Sequence, residues 1–222
     1  MDRFRRLYKW ASDLKLSKRT KPRDDQTIRV PQTIGQAGWL ILHRTPTPEC
    51  LWVVRSQLAS QSVPFVIDER CFDDTILRVE RTSTHVYLAD VFLWQGVPVH
   101  LTHSYTQRQA LLQGFLDTCY TSCPEFEWKA MSLRSQALVQ LKGYEYYSDA
   151  PGDVGAFTED TRVLYTIHRT EIPDVYAVEG EEGYLDVPDL VTSQRLLALG
   201  DAFQLFCKRQ GDLWEIVAFK DK

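Results

Sequence analysis

The stretch Asp74–Leu101, DTILRVERTSTHVYLADVFLWQGVPVHL, decides how this chain is read. Thr75–Val79 is aliphatic and β-branched, and a lone carboxylate, Glu80, ends it. A polar turn follows. Val86–Trp94 is apolar again and is broken by Asp90. Two such runs joined by a short polar turn predict an antiparallel hairpin. Trp94-Gln95-Gly96 marks the next reversal.

Working outward, similar runs recur about every ten residues: Gly38–His43, Leu51–Arg55 and Pro64–Ile67 before the hairpin. Ser104–Tyr120 changes period. Leu111, Leu112, Phe115 and Leu116 share one face, which predicts a helix with Ser104 or Thr106 as N-cap. Glu125–Met131 reads as strand and Leu133–Leu141 as helix. Asp149–Asp160 reads as a surface loop. Val163–His168 and Val175–Val178 read as strands, Pro188–Leu199 as a short helix, and Phe203–Lys208 with Leu213–Phe219 as a closing hairpin. At the other end, Phe4, Leu7, Trp10, Leu14 and Leu16 predict an amphipathic helix over 3–16, followed by a polar linker, Ser17–Asp25. The expected organisation is a basic helix and linker over 1–25 and one domain over 26–222. The fold class expected is α+β and mostly antiparallel.

Composition narrows the classes. With 222 residues and 44% apolar content the chain can bury a sizeable core. A mean hydropathy of -0.30 and no long apolar run argue against a membrane span. Asp2, Arg3, Arg5 and Arg6 are unlike a signal peptide. Five cysteines, an odd number, fit reduced thiols and a cytoplasmic or nuclear setting. The net charge of -4 is divided unevenly. Residues 1–30 hold ten Lys/Arg against four Asp/Glu, whereas 149–189 holds eleven acidic residues opposed by Arg162 and Arg169. A basic arm can steer a polyanion, and an acidic surface can meet a protein partner.

Two pairs have spacings that a metal could use, His100-x2-His103 and Cys119-x3-Cys123. Zinc needs four ligands with outer support, so buried thiols and loop histidines are the expectation, with no metal and no cofactor. No glycine-rich phosphate cradle of the Walker or dinucleotide type occurs.

The hairpin and its surroundings resemble the covalent nucleotidyltransferase superfamily of DNA and RNA ligases and mRNA guanylyltransferases. Thr75-Ile76-Leu77, Tyr87-Leu88-Ala89-Asp90-Val91 and Trp94-Gln95-Gly96-Val97-Pro98 carry the likeness. That resemblance implies two antiparallel sheets with flanking helices around a central cleft. Active members attack a nucleotide with a lysine; here Thr33 stands in the matching segment, and no lysine occurs between Lys21 and Lys129. Arginine is no substitute, because a guanidinium stays protonated. Arg78-Val79-Glu80 keeps only the Glu of the family's D-G-E element, and Asp160-Thr161-Arg162-Val163-Leu164-Tyr165 loses a glycine. Catalysis is therefore not expected.

The losses are similar to those of the snurportin-type cap-binding domain, a non-catalytic relative. Leu14-Lys15-Leu16-Ser17 is similar to its leucine–serine pair, and Gly183-Tyr184-Leu185 aligns with its Gly-Trp-Leu. The resemblance implies that Leu16, Ser17, Thr33 and Tyr184 meet a methylated guanosine cap or nucleotide. Lys15, Lys18, Arg19, Lys21 and Arg23 would then hold its phosphates. A methylated guanine is flat and cationic, which suits stacking on Tyr184 beside Glu181, Glu182 and Asp186. The expected partner is capped RNA. The alternative is a scaffold that binds a protein through the N-terminal helix or the acidic 149–189 region, and an active ligase or capping enzyme is the third reading.

Overall fold

The computed structural model describes residues 23–44, 46–54, 60–122, 127–138, 140–152, 157–160 and 162–220. The helix expected over 3–16 lies outside the described residues, as do Lys15, Leu16, Ser17, Lys18, Arg19 and Lys21. The chain divides into two compact units at Glu159/Asp160.

The first unit contains strands β1 (Ile28–Thr33), β2 (Gln36–Arg44), β3 (Pro48–Val54), β4 (Ser60–Ser62), β5 (Val66–Ile67), β6 (Thr75–Arg81), β7 (His85–Leu93), β8 (Tyr120–Thr121), β9 (Ala130–Leu133) and β10 (Leu141–Tyr147). β11 (Phe157–Asp160) ends at the division. Two helices, α1 (Val99–Thr102) and α2 (Tyr105–Thr118), follow β7. The opening stretch does form the hairpin, β6–β7, at the heart of a six-stranded sheet ordered β4-β3-β2-β6-β7-β9. A second sheet, β1-β10-β11, accompanies it.

The central strands are apolar on both sides, so their sequences run continuously rather than alternating. In β2, Leu40 and Leu42 belong to a core with Trp52, Leu77, Val79 and Leu88, joined by Leu112 and Phe115 of α2. Their neighbours Trp39 and Ile41 belong to another cluster with Leu51, Val53, Ile76 and Phe92. Gly38 is tied to this packing, since a Cβ there would come 2.5 Å from the Trp52 ring. α2 begins at a capping box: Ser104 Oγ accepts from the Gln107 amide at 3.3 Å, and Gln107 Oε1 accepts from the Ser104 amide at 2.9 Å.

Three expectations need correction here. β1 and β10 carry no strand assignment in the sequence reading, yet they pair over six positions. The helix expected over Leu133–Leu141 is a single 3-10 turn, Arg134–Gln136, running into β10. Buried positions of β10 are Gly143, Glu145 and Tyr147, so a carboxylate sits where an apolar residue would signal a strand. Strand β11 also ends within the expected loop 149–160.

The second unit contains β12 (Val163–Arg169), β13 (Tyr176–Val178), β14 (Tyr184–Leu185), helix α3 (Leu190–Leu197), β15 (Ala202–Gln210) and β16 (Leu213–Phe219). They close into a barrel ordered β12-β13-β14-β16-β15, with β12 pairing back to β15. β14 and β16 are parallel, and α3 bridges the third and fourth strands. This is a Greek-key barrel of the OB kind. Ile167, Tyr176, Val178, Leu185, Leu205, Cys207 and Trp214 fill it, together with Leu196 from α3.

The expected fold class is thereby overturned. In place of a helix-flanked α+β nucleotidyltransferase, 49% of the described residues are in strands and 18% in helices, counting 3-10 turns. Only three α-helices occur among the described residues, and one of them has four residues. The final hairpin, β15–β16, closes the barrel of the second unit. No helix among the described residues is long and apolar enough to cross a membrane.

Candidate functional site

Gly183-Tyr184-Leu185 is the one segment of the cap-type resemblance that lies on a described strand with an exposed ring. Leu185 points into the barrel and is 4% exposed, whereas Tyr184 points out and is 54% exposed. The backbone holds that choice. Gly183 has φ 94°, and a Cβ there would come 2.3 Å from the Asp212 carbonyl oxygen. Only glycine fits so close an approach in that conformation. On the inner side, Trp214 Nε1 donates to the Glu182 carbonyl at 2.9 Å, and the Asp186 amide donates to the Trp214 carbonyl at 2.8 Å. Trp214 also packs on Tyr165 with ring centroids 4.6 Å apart.

Register places Tyr184 in a row across the outer face: His168 opposite Ala177, Ala177 opposite Tyr184, Tyr184 opposite Leu213. Ala177 is small, so one side of the phenol ring is free of a bulky cross-strand neighbour. Leu213, 47% exposed, bounds the other side. The fringe is acidic. Glu181, Glu182 and Asp186 flank Tyr184 in sequence, and Glu179 follows β13; all four are exposed. His168 Nε2 lies 3.9 Å from Glu179 Oε2. The arrangement offers an aromatic platform beside negative charge, which attracts a flat cation and repels a bare phosphate chain.

Thr33 is elsewhere, inside the first unit, and only 1% exposed. Its amide and hydroxyl both donate to Glu80 Oε2, at 2.8 and 2.7 Å. Glu80 Oε1 meets Arg134 Nη1 at 2.9 Å, and the same nitrogen lies 2.7 Å from Glu145 Oε2. Arg78 Nη2 donates to Glu145 Oε1 at 2.6 Å, and Arg78 and Arg134 both donate to the Tyr147 hydroxyl, which donates to Glu145. Two guanidiniums and two carboxylates thus balance in the interior, linking β6 to β1, β10 and the 3-10 turn. Burial opposes ionisation of Glu145, but Arg134, Arg78 and the Tyr147 hydroxyl outweigh it and hold its carboxyl below the usual range. Burial raises Tyr147 above the usual phenol range.

Asp90 is likewise spent on structure. Arg108 grips it with two bonds at 2.8 and 3.0 Å, and it accepts the Val91 amide at 2.8 Å. Both carboxylates of the opening hairpin therefore anchor the sheet rather than face a ligand. Arg23 is exposed and chelates Asp25 with two bonds at 2.9 Å. His100 is buried, with Nδ1 2.8 Å from the Phe92 carbonyl, and burial lowers its pKa. His103 Nδ1 meets the Thr102 hydroxyl at 2.9 Å. Cys119 is buried and Cys123 lies outside the described residues. Among the described residues no three His, Cys, Asp or Glu side chains gather as metal ligands.

Of the expected site residues that are described, Tyr184 is on the outer face of the barrel, Thr33 in the ion-paired interior of the first unit, and Arg23 on that unit's surface. The row partners His168, Ala177 and Leu213 have no motif and emerge only from register. Arg78, Arg134, Glu145 and Tyr147 carry a weak signal, since charged residues within apolar strands imply buried partners. No protein-family profile and no curated protein sequence matches the chain.

Proposed function

We propose that the barrel is a non-catalytic binding module whose outer face, centred on Tyr184, takes a flat, positively charged group such as the methylated guanine of an RNA 5′ cap. The observation that carries this reading is an exposed tyrosine held on a strand by a glycine no other residue can replace, with exposed carboxylates before and after it. A methylated guanine stacks on such a ring with cation–π attraction added, while unmethylated guanine brings no charge to meet the acids. On this reading the protein's partner in the cell is capped RNA, met in the cytoplasm or nucleus. The test is fluorescence titration with 7-methyl-GTP, a trimethylated cap analogue and GTP, using the intact chain and Tyr184→Ala. Methylated ligands bind more tightly than GTP, and the alanine variant loses that preference. Equal affinity for GTP and cap, or an unchanged Tyr184→Ala, refutes the assignment.

A second reading, a surface for a protein partner, is favoured by Leu190 and Val191 at the start of α3, which are 71% and 74% exposed beside the acidic 149–189 region. Cap-affinity capture separates the two, because a scaffold is not eluted by free cap analogue.

A further inference from the structure

Arg81 is the last residue of β6, and its guanidinium lies over the ring of the buried Trp128, 3.7 Å from the centroid. Its side chain is 25% exposed, and among the described residues the carboxylate of Glu127 stands at 4.0 Å. Arg78, Arg108 and Arg134 donate to carboxylates, a carbonyl or a phenol, with Arg134 Nε alone among the hydrogen-bonding atoms of Arg134 left without a partner among the described residues. Among the described residues the Arg81 guanidinium donates no hydrogen bond. Stacking covers the face of the guanidinium and leaves its planar N–H edge directed sideways and open to solvent or a ligand.

That edge borders a groove of about 680 Å³ between the turn at Ile34–Gly35 and the turn at Thr82–Thr84. This is the size of small-molecule sites. Thr82 Oγ1 is occupied in accepting the His85 and Thr84 amides, and Thr84 Oγ1 meets His85 Nδ1. Ser83, at the tip of the turn, is exposed, and among the described residues neither its amide nor its hydroxyl has a hydrogen-bond partner. The groove therefore presents the Arg81 fork and the Ser83 donors for an oxyanion. Glu127, 63% exposed, and Gln36 supply acceptors for hydroxyl groups.

We infer that this groove binds a small hydroxylated phosphate monoester, with its phosphate on Arg81 and Ser83 and its hydroxyls toward Glu127. Carboxylates of similar size satisfy the fork less well, because a tetrahedral phosphate reaches both the guanidinium and the Ser83 turn at once. The site belongs to the first unit and does not depend on the Tyr184 reading.

Calorimetry with ribose 5-phosphate, inorganic phosphate and ribose tests it. Ribose 5-phosphate binds one to one, and ribose binds at least about tenfold more weakly, the value of one charge-assisted contact. Arg81→Lys, which loses the fork, weakens ribose 5-phosphate about tenfold. Because Arg81 also packs on Trp128, Ser83→Asp serves as the second variant. Aspartate suits a turn, so the thermal midpoint holds while its charge abolishes phosphate binding. Glu127→Gln weakens ribose 5-phosphate but strengthens inorganic phosphate. No binding of either phosphate, or binding unchanged in Ser83→Asp, overturns the site. Tyr184→Ala leaves this binding intact, and its loss there would place the phosphate on the barrel and also overturn the inference.

Discussion

Replacing Arg134 with Met probes the buried ion network most directly. The variant removes the bonds to Glu80 and Tyr147 and the contact with Glu145, at 2.9, 3.0 and 2.7 Å; Glu145 keeps Arg78, and Glu80 keeps, among the described residues, only the Thr33 donors. Glu80 and Glu145 are 1% and 2% exposed, so water cannot take Arg134's place. Breaking a buried pair from one side costs about 3–5 kcal/mol. Urea unfolding followed by tryptophan emission is suited to the measurement, since Trp39, Trp52, Trp94 and Trp128 all lie in the first unit. The loss has a pH signature. Without Arg134 one carboxylate takes up a proton in the folded state, so its folded pKa rises above the unfolded value of about 4.3. The variant's deficit is then smallest below about pH 4.3 and grows as pH rises from there through that raised pKa. Glu80→Gln added to Arg134→Met removes the excess charge, so the double variant is more stable than the summed single losses by about 1–3 kcal/mol. A deficit below about 1 kcal/mol that does not vary with pH, or strict additivity, refutes the reasoning.

Gly183→Ala forces a Cβ against the Asp212 carbonyl and destabilises the barrel by about 1–3 kcal/mol, read by the unfolding midpoint of Trp214-containing fragments in proteolysis. Cap affinity falls with it; a stable variant with full affinity contradicts the platform geometry. Tyr184→Trp offers a larger and more electron-rich face and tightens methylated cap binding several-fold, up to about tenfold; equal or weaker binding in the same fluorescence titration argues against stacking. In the parent protein the Glu145 carboxyl is held below its ordinary range, so its contribution is full above about pH 4.5 and is lost as pH falls below that. Stability of the first unit should therefore fall between pH 5 and 3, by up to about 1.4 kcal/mol per pH unit for this group, and Glu145→Gln should flatten the slope.

Most of the local structure was legible because it rests on local signals. The hairpin of 75–81 with 85–93, the Ser104 cap and the α3 helix all follow from periodicity and capping chemistry. β1 and β10 were not legible, since they carry Arg29, Gln32, Lys142 and Glu145 and are strands only because they pair with each other and shelter Glu145. The likeness to a nucleotidyltransferase rested on short strand motifs that many β-rich chains can present. It did not carry the layout of helices or the barrel, because strand order lies in contacts far apart in sequence.

By itself the sequence determined where apolar runs begin and end, where carboxylates interrupt them, and that Gly183-Tyr184 precedes a hydrophobic residue. Only the tertiary structure decided what those residues meet. Glu80 and Asp90 lie within apolar strands in either reading, but their arginine partners arrive from 54 and 18 residues away, and those partners make them anchors. Tyr184 faces outward because Leu185 fills the barrel and Gly183 presses on Asp212. Side-chain type is local; register, burial and partner are set by closure of the sheet.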